Sequence, residues 1–93
     1  MHYVHQAQLS EIDGLPVTAS DSVQFWTGNI RHLIVAQSPT SWSLLESTGA
    51  LVGEFVREDD GFAVVDDDGF EADRFDHWRS AVRNIVRRAQ KAA

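Results

Sequence analysis

The clearest pattern of hydrophobic and polar positions lies near the C-terminal end of the sequence. Apolar residues recur there at spacings of three and four, which is typical of one face of a helix; they are Phe75, Trp78, Val82, Ile85, Val86 and Ala89. Asp73 is expected to cap the first amides, with Asp76 in the first turn. The pattern predicts an amphipathic helix over residues 75–89, with Trp78 as its largest buried anchor.

The middle of the chain shows short β-prone runs at residues 30–37, 41–47, 50–57 and 61–66. Glycine tolerates positive φ, and Asp or Asn bonds the local backbone, so such residues favour tight turns. Turn signals of this kind separate the runs: Asp13-Gly14, Thr27-Gly28-Asn29, Ser38-Pro39-Thr40, Thr48-Gly49, Asp59-Asp60-Gly61 and Asp67-Asp68-Gly69. Turns about every 8–12 residues are typical of an antiparallel meander.

The N-terminal third is less clear. Alternation over residues 3–10 predicts a strand that enters the Asp13-Gly14 turn, with residues 15–19 as its partner. Proline lacks an amide hydrogen, so Pro16 would limit that partner to a sheet edge.

Two interpretations are open for residues 20–35. One is a pair of strands, with the first over residues 22–27. The other is a helix capped by Asp21 or Ser22. We favour strands, because Gly28 inside a helix would cost about 1 kcal/mol relative to alanine.

A helix of this length is marginal in water, so its apolar stripe must pack on the sheet. We therefore predict an α+β fold, an antiparallel β meander of about five to seven short strands packed by one C-terminal amphipathic α-helix. No linker-like segment divides the 93 residues, so residues 1–93 are expected to form a single domain.

Composition narrows the setting of the protein. Cysteine is absent, which excludes disulfides and thiolate metal sites, and no run approaches the roughly 20 apolar residues of a membrane span. We expect a small soluble cytoplasmic domain with no membrane partner. Seven of the eight basic residues are arginine, typical of a GC-rich genome, and a bacterial source is expected.

The formal net charge of −6 is unevenly distributed. Residues 1–73 carry thirteen acids and two bases, whereas residues 74–93 carry six bases and one acid. One interpretation is self-complementation, in which the basic helix lies near an acidic sheet. The other is a basic face for nucleic acid or a partner, formed by four cations spaced by four: Arg79, Arg83, Arg87 and Lys91.

Signatures of catalysis and metal binding are weak. The sequence has no glycine-rich phosphate loop, nucleophile elbow or zinc helix. Its histidines (His2, His5, His32 and His77) and its acidic turns lack the spacing of a metal or catalytic set. We expect turn chemistry in the acidic segments, no catalytic or metal-ligating residue and no cofactor, and we lean against an enzyme.

Strands followed by a C-terminal helix that bears a Trp, here Trp78, resemble the pleckstrin-homology architecture. The resemblance covers strand count, strand order and that residue. It implies a first hairpin around residues 11–14, where that family binds phosphoinositides. This segment is acidic, so membrane-lipid recognition is not expected.

The function expected from these features is a non-enzymatic protein-interaction or accessory module. Its partner would be an unknown protein or a second copy. The chain has more aromatic residues than the core needs, and the edge strands of its sheet carry unpaired backbone groups. Trp26, near a predicted turn, is the candidate for an exposed contact. The alternative is nucleic-acid binding by the basic helix face, which the net negative charge disfavours.

Overall fold

A computed structural model describes residues 7–66 and 68–92. Six strands form one sheet in sequence order, and every neighbouring pair is antiparallel. The predicted α+β meander with one C-terminal helix is confirmed. In chain order, the elements are a 3-10 helix Leu9–Glu11, β1 Ser22–Thr27, β2 Ile30–Ser38, β3 Ser41–Glu46, β4 Leu51–Glu58, β5 Gly61–Val65, β6 Glu71–Phe75 and α1 Trp78–Ala92.

The preference for strands over residues 20–35 is confirmed. Thr27 pairs with Ile30 across a two-residue turn, and Gly28 has a φ of 61°. Glycine adopts that left-handed conformation without the steric penalty that a Cβ imposes. The turn therefore joins β1 and β2 where a helix would have needed a continuous right-handed backbone.

The hairpin predicted at the Asp13-Gly14 turn is wrong for the described part of that segment, and residues 3–6 lie outside it. Residues 9–11 form the 3-10 helix, and residues 15–19 form no strand. The Trp42 indole Nε1 donates a 2.7 Å hydrogen bond to the Pro16 carbonyl. Leu9 and Ile12 are buried on the sheet. The segment therefore covers the core with side chains instead of pairing as a hairpin.

The predicted start of the helix is also wrong. Phe75 ends β6, and Asp73 pairs with Val64 of β5, so Asp73 cannot cap a helix. The first helical amides, of Ser80 and Ala81, donate to the backbone carbonyl of His77. Backbone pairing with β5 has displaced the first turn that periodicity predicted. In the described residues, no helix is long and apolar enough to cross a membrane.

The core lies on one face of the sheet, called here the inner face. Its largest fully buried side chains are Trp42, Phe25, Phe55, Ile34, Leu44 and Val82. Trp42 and Phe55 stack with ring centroids 5.2 Å apart. Helix α1 lies over β4, β5 and β6, and the segment with Leu9 and Ile12 packs against the same core. Two separate covers thus share the inner face.

Helix α1 lies close to the backbone of β4 at Gly53. A Cβ at Gly53 would lie 2.5 Å from Ile85 Cγ2, closer than real Cβ contacts. Ile85 itself is buried. The missing side chain at this position therefore sets the distance between the helix and the sheet.

Gly53→Ala should destabilise the protein by about 1–3 kcal/mol, because the methyl group must push Ile85 and the helix away. The free energy of unfolding in urea measures this. Gly14→Ala is the matched control, since no atom lies within 4 Å of a Cβ there. In the Ile85→Ala background, Gly53→Ala should lose most of its cost. Equal costs at Gly14 and Gly53 would contradict the close approach.

Trp78→Ala should cost about 3–5 kcal/mol, the usual range for removing a buried aromatic side chain and leaving a cavity. Trp78 is buried in the core at the start of α1, whereas Phe70 is 71% exposed. The thermal midpoint should fall sharply for Trp78→Ala and change little for Phe70→Ala. An unchanged midpoint for Trp78→Ala would show that the helix is not anchored there.

Candidate functional site

Arg79 differs from the other cations of the predicted basic stripe. Its guanidinium donates to the Ile12 carbonyl and lies 4.6 Å from the ring centroid of Trp78. Its Nε is buried and has no hydrogen-bond partner among the described residues. Arg79 therefore joins the start of α1 to the N-terminal segment, and the predicted stripe is reduced to three exposed cations.

Arg83, Arg87 and Lys91 are exposed on α1. No ion pair joins them to an acid among residues 7–66 and 68–92, where the pairs are those of Arg74 with Glu58 at 2.9 Å and Asp60 at 2.7 Å. Self-complementation of the helix by the acidic sheet is thus not made by direct ion pairs in the described part of the chain.

A groove of about 470 Å³ lies between α1 and the β1 edge of the sheet. Leu9, Phe25 and Val86, all buried, contribute apolar surface, and Trp26, Arg83 and Arg87 also line the groove. We call this the Arg83–Arg87 groove. Two of the predicted contact arginines line this groove, and Trp26 borders it at the β1 edge, whereas Lys91 is not among its lining residues.

Trp26 is half-buried. Its amide donates a 2.8 Å hydrogen bond to the Ala7 carbonyl, so the segment before the 3-10 helix covers this part of the β1 edge. Alternation places its side chain on the opposite face from Phe25. The most exposed large apolar residues lie elsewhere, at Phe70, Val17 and Leu51.

A smaller pocket of about 140 Å³ adjoins the groove, since Val86 and Gln90 line both. Its polar wall is formed by His32 and Glu46, which are directly opposite each other in the register of β2 and β3. His32 also stacks on Phe25 with ring centroids 5.0 Å apart. We call this cavity the His32 pocket.

His32 is only 3% exposed, and its Nδ1 has no hydrogen-bond partner in the part of the chain that the structure describes. Burial lowers the pKa of His32, and the negative charge of Glu46 opposes that shift in part. The imidazole is therefore neutral near pH 7. Sequence reasoning did not select His32, although its parity with Ile34 in an alternating strand was the available signal.

The acidic segment before β6 forms a turn that is stabilised by hydrogen bonds from backbone amides to the Asp66 side chain. Asp66 Oδ1 accepts hydrogen bonds from the amides of Asp68 at 3.0 Å and Phe70 at 2.9 Å. Among the residues that the structure describes, no group of three or more metal-ligating side chains lies together. His77 is exposed just before α1. His2, His5 and Asp67 lie outside the described residues.

The free energy of unfolding should fall as the pH is lowered from 7.5 to 5.5, in part because of His32. Its pKa in the folded protein lies below the unfolded value of about 6.5. Below that pH, the unfolded chain binds a proton that the folded protein resists, so acid favours unfolding. His32→Phe should flatten this dependence in urea titrations, while the exposed control His77→Gln should not. Parallel curves for wild type and His32→Phe would contradict the assignment.

Comparisons with known proteins give no match. No family model matches the chain, and neither a curated protein nor a solved structure does. No comparison supports the resemblance to the pleckstrin-homology architecture, and the hairpin it implied at residues 11–14 is replaced by the end of the 3-10 helix and an irregular segment. The function must be argued from the groove and the pocket.

Proposed function

We propose that this is a non-enzymatic protein-interaction domain whose Arg83–Arg87 groove binds an acidic segment of a partner protein. The observation that carries the proposal is the pair of exposed guanidiniums one helical turn apart, beside apolar surface and without an ion pair to a described acid. Such an arrangement offers charge recognition and apolar burial in one place.

The spacing of the two arginines suits carboxylates. Side chains four residues apart on a helix are neighbours, with Cβ atoms about 5–6 Å apart. Each guanidinium presents a planar set of donors that matches a carboxylate. Successive acidic side chains of an extended peptide can therefore reach Arg83 and Arg87.

The apolar lining supplies what charge alone does not. Exposed ion pairs contribute little, about 0–1 kcal/mol each, because water screens them. Burial of apolar surface contributes roughly 25 cal/mol per Å². A partner segment that places an apolar residue over Phe25 and Val86 would exclude water from the arginine contacts and strengthen them.

The net charge distinguishes a protein partner from nucleic acid. At −6 the molecule repels a polyanion at long range, whereas a short acidic segment meets mainly the local field of α1. The Arg79 guanidinium donates to the Ile12 carbonyl, so fewer cations of the helix are free to contact a phosphate backbone. Nucleic acid is therefore the alternative, and the test below includes it.

The polar side chains of the groove are suited to binding. Arg83, Arg87 and Gln90 present N–H donors to a bound segment, which suits recognition of carboxylates. The absence of cysteine supports a reducing compartment, the cytoplasm, as the setting of the interaction. The arginine-rich composition supports a bacterial source.

The double variant Arg83→Ala/Arg87→Ala should weaken binding of a fluorescent peptide of Asp, Glu and Leu by about tenfold or more. Two exposed ion pairs of up to about 1 kcal/mol each sum to as much as about 2 kcal/mol, and 1.4 kcal/mol is a factor of ten in Kd. Fluorescence anisotropy measures it. Arg88→Ala, an exposed arginine on the same helix that does not line this groove, is the matched control.

The same assay separates the alternatives. Equal losses for Arg88→Ala and the double variant, or no peptide binding at all, would refute the groove. Tighter binding to a DNA duplex, with a steep salt dependence, would favour the nucleic-acid alternative. Concentration-dependent mass in solution that the double variant abolishes would identify a second copy as the partner.

A further inference from the structure

The His32 pocket has an unusual polar wall. Phe25, His32 and Glu46 follow one another across β1, β2 and β3, because the strand register pairs Phe25 with His32 and His32 with Glu46. Directly opposed side chains have Cβ atoms about 4.5–5.5 Å apart. The Glu46 amide donates a 2.9 Å bond to Ala50, which fixes the end of β3. The Glu46 side chain therefore lies on the same face of the sheet as the imidazole and next to it in the register.

The imidazole lacks a partner that its burial calls for. An unsatisfied buried polar group costs about 1–3 kcal/mol, and most buried polar atoms in proteins are hydrogen-bonded. His32 is 3% exposed, and its Nδ1 has no hydrogen-bond partner among residues 7–66 and 68–92. In the tautomer with the proton on Nε2, this atom is an acceptor. His32 forms part of the pocket wall, so a small rotation of the ring would bring this buried atom within reach of a donor on a bound ligand.

The other lining residues define what that donor must be. Glu46 offers carboxylate oxygens and Gln90 an amide oxygen, while Ile30, Val86 and Ala89 form apolar walls. A primary ammonium group has three N–H donors. We propose that the His32 pocket binds a primary alkylammonium group, with the nitrogen among His32, Glu46 and Gln90 and the alkyl chain against the apolar residues.

Charge and size support this ligand class over others. Glu46 repels a carboxylate or phosphate, and His32 with Glu46 supplies too few ligands for a metal ion. The cations of the adjoining groove, Arg83 and Arg87, are exposed and screened by water, whereas Glu46 lies in the pocket wall. The volume of about 140 Å³ suits a short alkyl chain.

This ligand site does not depend on the partner proposed for the Arg83–Arg87 groove. Two features separate them. The pocket presents acceptors and a negative charge, whereas the groove presents donors and positive charge. The Arg83→Ala/Arg87→Ala variant should therefore keep amine binding even if it loses the acidic peptide, so failure of one proposal is distinguishable from failure of the other.

The test is a titration of the 15N-labelled full chain with n-butylammonium chloride at pH 7.5, followed by amide chemical shifts. We expect saturable shifts centred on His32, Glu46 and Gln90. n-Butanol, the neutral analogue of similar size, should bind at least about tenfold more weakly than butylammonium. The reason is that a charged hydrogen bond contributes about 1.5–3 kcal/mol. Sodium chloride controls for ionic strength.

Two substitutions locate the site. Glu46→Gln should weaken butylammonium binding by about tenfold or more, and the control Glu54→Gln, an exposed acid of β4, should not. Ala89→Leu should block binding by filling the cavity; if it does not fold, Glu46→Gln decides. Equal binding of butanol and butylammonium, equal effects of the two Glu→Gln variants, or shifts that do not saturate would overturn the proposal.

Discussion

The packing of α1 onto the sheet at Gly53 is the contact on which the rest of the structure depends. Because β4 has no side chain there, Ile85 reaches the backbone and the helix lies close over β4, β5 and β6. The N-terminal segment covers another part of the inner face, where the Trp42 indole donates to Pro16. Arg79 joins the two covers through the Ile12 carbonyl. The groove and the pocket open farther along α1, between the helix and β1 to β3.

Much of this fold could be predicted from the sequence, because periodicity and turn chemistry are local signals. Gly28 marked a hairpin, and the stripe from Trp78 to Ala89 marked the helix. The sixth strand was missed because Phe75 lies three residues before Trp78, a spacing that also fits a helix. What decided the outcome was pairing of residues 71–75 with β5. That interaction is between segments, and a pattern within one segment does not contain it.

Some residues of the candidate site could likewise be predicted from local spacing, and others only from the tertiary fold. The spacing of Arg83 and Arg87 placed them on one helical face, and they line one groove. The same spacing included Arg79, but only the tertiary fold brings the Ile12 carbonyl to its guanidinium. His32 was not selected because an isolated histidine in a strand carries no chemical signal. Its position gains meaning from Glu46, which the register of β2 and β3 places opposite.

Helix α1 packs on the core through both of its halves, including Ile85 and Val86, and the two binding sites that we propose open beside its second half. The first half holds Trp78, Ala81 and Val82, all buried against the core. The second half carries exposed cations, and there the small side chain of Ala89 lines cavities on both sides of the helix. Larger apolar residues at these positions would add packing and remove the cavities. The small side chain of Ala89 therefore leaves open the space beside His32 and Glu46 to which we assign the proposed ligand.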